Sequence, residues 1–190
     1  MTADNPRWKE LEGRVRALLD SDAYDAAVTL VIEVLGPDVL DYFRTALQED
    51  EAQDALQYWS QEVWRFLRQF RWEGSLRGWA YQVARRSMYR ILRRGYRTRE
   101  EHLSSSAISR VGPMVGASRG STAEQQRGLE MLRANLDPED QELLTLRIDR
   151  ELEWEEIAGV LDSTAVVLRK RYERLTKRLV QMARDRGLID

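Results

Sequence analysis

Twenty-six residues, Gly74 to Arg99, restrict the fold of this chain more than any others. They read GSLRGWAYQVARRSMYRILRRGYRTR and hold eight arginines and no acid. Leu76, Ala80, Val83, Ala84 and Ile91 recur at helical spacing, with Ser87 on the same stripe. Ser75 is placed to cap the helix and Gly95 to end it. A second face carries Trp79, Gln82, Arg86, Tyr89, Arg90 and Arg93. Arginine mixed with aromatics on one helical face suits a phosphate backbone with bases nearby. The same pattern also suits a solvated surface helix with one buried Trp.

Charge along the chain sharpens the choice. The net charge is only −2, but it is unevenly distributed. Residues 61–99 hold 11 basic and 2 acidic groups, and residues 165–190 hold 8 and 3. The two remaining blocks, 1–60 and 100–164, are each net −8. Two basic islands between acidic stretches predict two polyanion contacts in place of one diffuse field. The absence of cysteine removes disulfides, thiolate zinc sites and a cysteine nucleophile. No apolar run is long enough to span a bilayer, and the N-terminus lacks a secretory pattern. A cytoplasmic location is the resulting expectation.

In chain order, Pro6 opens a first helix with Leu11, Val15, Leu18 and Leu19 at helical spacing. Ala23–Leu35 follows, and the Gly36-Pro37 pair is expected to break the chain before a helix over Val39–Gln48. Glu51–Phe70 reads as one longer helix, with Leu56, Trp59, Val63, Phe66, Leu67 and Phe70 on its apolar stripe and Trp64 off it. Its outer face presents Asp54, Gln57, Gln61, Arg65 and Arg68, which suits a protein partner as well as it suits plain solvent. Arg71–Gly74 is a tight loop whose Trp72 either stacks on an extruded base or folds back onto the helix pair. Serines, glycines and Pro113 dominate residues 97–123, the composition of a flexible linker. Beyond it, Asp137-Pro138-Glu139-Asp140 is a strong helix start. A short helix from Trp154 to Leu161, a turn at Asp162-Ser163 and a longer helix capped by Thr164 then follow the order of a helix-turn-helix. The exposed face of the last helix carries Val166, Arg169, Lys170, Glu173, Arg174 and Lys177, as a major-groove reader would. The fold expected is all-α, with two small helical domains joined by a flexible linker. Its divisions are an N-terminal extension 1–34, a first domain 35–96, the linker 97–123 and a second domain 124–190.

These segments carry a resemblance. Asp54-Ala55-Leu56-Gln57 resembles the D-L-x-Q motif of extracytoplasmic-function (ECF) sigma factors, two-domain factors of bacterial transcription initiation. WRFLRQF (Trp64 to Phe70) and EGSLRGWAYQVARR resemble the W-R-x-L-x-x-F and G-S-F-R-x-W-L-Y-x-I-A-R-N run of that family's region two. LEWEEIAGVL stands where region four has L-S-Y-E-E-I-A-x-I-L, and Arg169-Lys170-Arg171 where it has K-S-R. The likeness runs from about Leu35 to Leu179 and leaves residues 1–34 outside. There are departures. Tyr58, Trp59 and Ser60 replace an acid and an apolar pair; Arg86 replaces a common Asn; Asp162 replaces the turn Gly; and Ala165 to Leu168 differ from the usual Val-Gly-Thr-Val.

The resemblance implies a non-enzymatic initiation factor that needs no cofactor or metal. Asp54, Gln57, Gln61, Arg65 and Arg68 would dock on the clamp helices of core RNA polymerase. Trp72, Ser75, Arg77, Trp79, Gln82, Arg86, Tyr89, Arg90, Arg93 and Arg94 would recognise and melt the minus-ten element. Ser163, Thr164, Val166, Val167, Arg169, Lys170, Arg171 and Arg174 would read the minus-thirty-five element while the same domain touches the polymerase flap. An anti-sigma factor is a further expected partner. Two other classes compete: a helix-turn-helix DNA-binding regulator without polymerase docking, and a nucleic-acid enzyme. Against the enzyme stand a single histidine, His102, and acid pairs such as Glu155-Glu156 that diverge on a helix.

Overall fold

The structure is a computed structural model that describes residues 6–102 and 131–186, with side chains omitted over 95–102. The described residues form helices and turns without a strand. The chain divides into two compact units at Gly112–Pro113.

The first unit holds α1 (Pro6–Asp20), α2 (Tyr24–Phe43), α3 (Glu49–Phe66) and α4 (Leu76–His102). α1 packs on α2, α2 packs on α3 and α4, and α3 lies along α4. Leu11 and Val15 of α1 join Val31, Leu35 and Val39 of α2 among the buried residues. From α3 come Ala55, Trp59 and Val63; from α4, Leu76, Ala80, Tyr81 and Ala84. Trp59 is fully buried and donates its indole N–H to the Ala80 carbonyl at 3.0 Å. A buried indole needs such a partner, and the small Ala80 leaves room for it. Tyr42 of α2 meets Tyr81 edge to face at 5.6 Å.

Three boundaries differ from the expectation. α2 runs straight through Gly36-Pro37 and ends at Phe43, so it also crosses the expected division at residue 34. A proline inside a helix costs about 3 kcal/mol. Here the residues on both sides, Leu35 and Val39, are completely buried, and that packing outweighs the local signal. α3 begins at Glu49 under a capping box of Gln48 and Glu51, and its last residues tighten into a 3-10 turn, Leu67–Gln69. α4 continues past Gly95 to His102, so residues 97–102 of the expected linker are helical. The rest of that linker, 103–123, lies outside the described residues. Ser75 caps α4 as expected, its Oγ accepting from the Gly78 N–H at 2.9 Å.

In the second unit, residues 131–134 are helical. α5 (Pro138–Leu144) follows, with Asp137 at its N-cap and Pro138 at its first position. It widens into a π-helical turn, Thr145–Asp149. Arg133 holds that turn by a two-pronged bridge to Asp149 at 2.8 and 3.0 Å. Ile148 is about half exposed there. α6 (Trp154–Val160) opens with a Glu153–Glu156 capping box, and α7 (Ala165–Asp185) follows a four-residue turn. Asp162 takes the left-handed conformation, φ 51°, that a glycine would otherwise supply. Leu136, Leu144 and Leu175 form one core cluster, with Tyr172 and Leu179 packed against it.

Candidate nucleic-acid interfaces

The spacing of α4 puts its arginines beside α3. Between the two helices lies a groove of about 500 Å³. Tyr58, Glu62 and Phe66 line it from α3, and Trp79, Arg86, Arg90 and Arg93 from α4. The Arg90 guanidinium sits 4.1 Å above the Tyr58 ring. That stack holds a long cation in place while leaving it exposed. Of the other residues expected for the minus-ten element, Gln82, Tyr89 and Arg94 lie outside the groove lining. Tyr89 instead pairs with Arg85, 4.7 Å away.

The loop between α3 and α4 forms one end of this surface. Trp72 adopts a left-handed backbone, φ 59°. Its ring packs on Phe70 at 4.8 Å, and Phe70 packs on Trp79 at 5.4 Å. The Arg16 guanidinium lies 4.4 Å from the Trp72 ring centre. Of the two sequence readings for Trp72, this conformation adopts the folded-back one, with the ring still partly exposed.

Arg77 lies apart from these residues. Expected at the DNA, it is only 7% exposed. Its guanidinium stacks on Trp8 of α1 at 4.4 Å and lies near the Tyr81 ring. An arginine over aromatic faces can be buried at low cost because its guanidinium is weakly hydrated. Sequence reasoning missed Trp8, Glu12 and Arg16, which touch the start of α4 or its loop from the far end of the unit's sequence.

A second, more open groove lies on the other side of α3. Gln57, Gln61, Arg65 and Arg68 line it together with Tyr24, Ile32, Ser60 and Trp64. Four of the five residues expected at the polymerase therefore share one surface; Asp54 is exposed on α3 outside that lining. Trp64 is 50% exposed. It meets Tyr24 edge to face at 5.6 Å, and the Tyr24 hydroxyl donates to the Trp64 carbonyl. Arg68 lies over the Tyr24 ring at 4.5 Å and pairs with Asp22 at 3.1 Å. The signal for Trp64 was present in the sequence: a large apolar residue off the buried stripe.

In the second unit Thr164 caps α7, its hydroxyl accepting from the Val167 N–H at 3.4 Å. Ser163, Val166, Val167, Arg169, Lys170 and Arg174 are all exposed. Arg169 pairs with Glu155 of α6 at 2.9 Å, and Arg174 donates to the Lys170 carbonyl at 3.3 Å. Arg171 is held differently. It points into the unit, donating to Asp140 at 2.6 Å and Glu139 at 2.8 Å at the start of α5. The Glu139 hydrogen bond, then Asp140, holds the guanidinium above its ordinary pKa against the opposing effect of partial burial.

Among the described residues no three acids, histidines or cysteines gather as a metal site. No described helix is long and apolar enough to cross a membrane. No curated protein matches the chain. Residues 31–98 match the family described as Sigma-70 region 2, a span covering about two thirds of α2, all of α3 and most of α4. Two solved structures share the fold. One is the sigma factor RpoE in complex with the anti-sigma factor NepR from Bartonella quintana, 18% identical over 80% of this chain and 94% of that one, TM-score 0.61. The other is CnrH in complex with the cytosolic domain of CnrY, 16% identical over 88% of this chain and 96% of that one, TM-score 0.61. The region 2 match thus lies on α2–α4, a helix-turn-helix unit follows it in the chain, and the fold is one that a sigma factor also adopts.

Proposed function

We propose that the first unit melts the minus-ten element in the α3–α4 groove and that α7 reads the minus-thirty-five element. The observation that supports this most is the groove itself, where Arg86, Arg90 and Arg93 stand beside Trp79 and Tyr58. Cations at that spacing hold phosphates, and the rings offer faces to unstacked bases. Each base stacked on an aromatic ring contributes about 1–3 kcal/mol. Several such contacts offset the few kcal/mol that each extruded base costs. Melting is then capture of a transient opening, and this chain makes or breaks no bond. The Gln57–Arg68 groove docks on the polymerase clamp helices, with exposed Trp64 in its lining. The second unit places Val166, Val167, Arg169 and Arg174 in the major groove and touches the polymerase flap. The complexes of RpoE with NepR and CnrH with CnrY support an anti-sigma partner for this chain too. Its place of action is the cytoplasm.

Run-off transcription with purified core polymerase on a genomic promoter library tests the reading. Start sites that appear only when the protein is added support it. DNA binding without transcripts would replace it with a regulator that does not dock. Arg90→Ala with Arg93→Ala should abolish the permanganate-reactive bubble while core binding persists. An unchanged bubble would remove the groove from the mechanism.

A further inference from the structure

α1 lies outside the matched region, and the sequence offered no role for it. In the structure one of its faces meets the start of α4 and the loop before it, at intervals of one helical turn. Trp8 stacks on Arg77 at 4.4 Å. Glu12 Oε1 accepts from the Leu76 N–H at 2.6 Å. Arg16 lies over Trp72 at 4.4 Å. Leu11 and Val15 on the adjacent face are buried and fix α1 to the core.

These contacts act on a segment that is not self-supporting. Leu76 is the first residue of α4, so its N–H has no partner within the helix. Ser75 satisfies the N–H of Gly78, and Glu12 satisfies that of Leu76 with a full negative charge at the positive end of the helix. Trp72 holds a left-handed backbone. A bulky residue keeps that conformation only where its surroundings over-determine it. Phe70 bounds its ring on one side and Arg16 contributes a second contact.

We infer that α1 is a positioning element for promoter recognition, with Glu12 and Arg16 fixing the shape in which residues 70–76 select a base. The inference rests on that loop's role as proposed above. Glu12 sets where α4 begins, and Arg16 sets the face of Trp72 that a base can approach. Neither needs to touch DNA, so both act through the loop. A loop left to sample several shapes would still bind single strands through the arginines of α4. It would lose discrimination at the position it reads.

Two measurements test this. In the first, full-length protein bound to core polymerase selects from a labelled single-stranded DNA carrying a short randomised segment. Wild type should enrich a defined motif. Arg16→Ala and Glu12→Ala should each flatten one position of it about tenfold, the size of a typical lost base discrimination, and leave the other positions unchanged. Glu12→Gln keeps an oxygen acceptor and should keep the selectivity. A motif identical in all variants overturns the inference. A wild-type protein that enriches nothing overturns the loop's own role, and the inference with it. The second measurement needs no DNA. Amide exchange at Leu76 should quicken about tenfold in Glu12→Ala, as expected for a lost cap acceptor, and stay near wild type in Glu12→Gln. Unaltered protection in Glu12→Ala overturns the inference even if the motif changes. Arg16 is exposed, so Arg16→Ala carries the selection test should Glu12→Ala fold poorly.

Discussion

Residues of one type serve opposite ends in this molecule. Arg86, Arg90 and Arg93 face the α3–α4 groove, whereas Arg77 is buried against Trp8. On α7, Arg169 and Arg174 are exposed, whereas Arg171 clasps Glu139 and Asp140. The distinction is testable. Arg171→Ala leaves Asp140, which is nearly buried, without its cation, and should destabilise the second unit by about 1–2 kcal/mol. Its duplex affinity well below the melting temperature should stay within about twofold of wild type. Arg169→Ala with Arg174→Ala should do the reverse, weakening duplex binding about tenfold with little change in melting. Scanning calorimetry and gel shift on the same samples separate the two, and an unmoved transition in Arg171→Ala would refute the inward assignment. A pH effect belongs to Glu49, whose pKa falls to about 2, first through its hydrogen bond with Arg44 and then through that with Gln53. A carboxylate lowered in the folded state stabilises the fold above its ordinary value of 4.5 and loses that contribution as pH falls toward about 2. The pair is exposed, so the effect is small. Wild type and Glu49→Gln should differ in thermal midpoint at neutral pH and converge near pH 2. A constant offset across that range would contradict the assignment.

At the scale of elements, α2 is instructive because it defies its own sequence. A Cβ added at Gly36 would meet Ile32 Cγ2 and Trp59 Cζ3 at 4.0 Å, an ordinary contact distance. Gly36→Ala should therefore stabilise the first unit by about 0.5–1 kcal/mol, while Gly36→Leu should collide with Trp59 and destabilise it. Urea titration of the two variants reads both signs, and a destabilising Gly36→Ala would show that the helix needs its glycine. The helices were legible because their apolar residues repeat at 3.6: Leu76, Ala80, Val83 and Ala84 are buried where the stripe placed them. Ser75 and Thr164 cap as their positions indicated. The misread ends, at Gly36-Pro37 and Gly95, are places where a local stop signal lost to the surrounding helix. The contacts of α1 were illegible for another reason. Glu12 and Leu76 lie 64 residues apart, and neither has a neighbour in sequence that names the other. The partners of Arg77 and Arg171 were illegible because charge alone does not say whether its counterpart is a phosphate, a ring or a carboxylate.

Across the whole molecule, cationic surface is split between two compact units. Binding to promoter DNA should then be steeply salt-dependent, each phosphate contact adding about 0.9 to the logarithmic slope. Removing Arg90 and Arg93 together should lower that slope by about 2, as should removing Arg169 and Arg174, and the two losses should add. Fluorescence anisotropy over a salt series measures all three variants. A slope unaffected by the second pair would mean that α7 reads bases without neutralising phosphates. The clasp between Arg171 and α5 has a further consequence. It sets a spare cation on α7, the helix proposed to read DNA, and withholds it, so adhesion to DNA would have a dial lying outside that helix altogether. Loss of the two acids would loosen the bundle and hand the guanidinium to the polyanion. A lineage could in this way tighten its hold on many promoters at once without rewriting one letter of what they say.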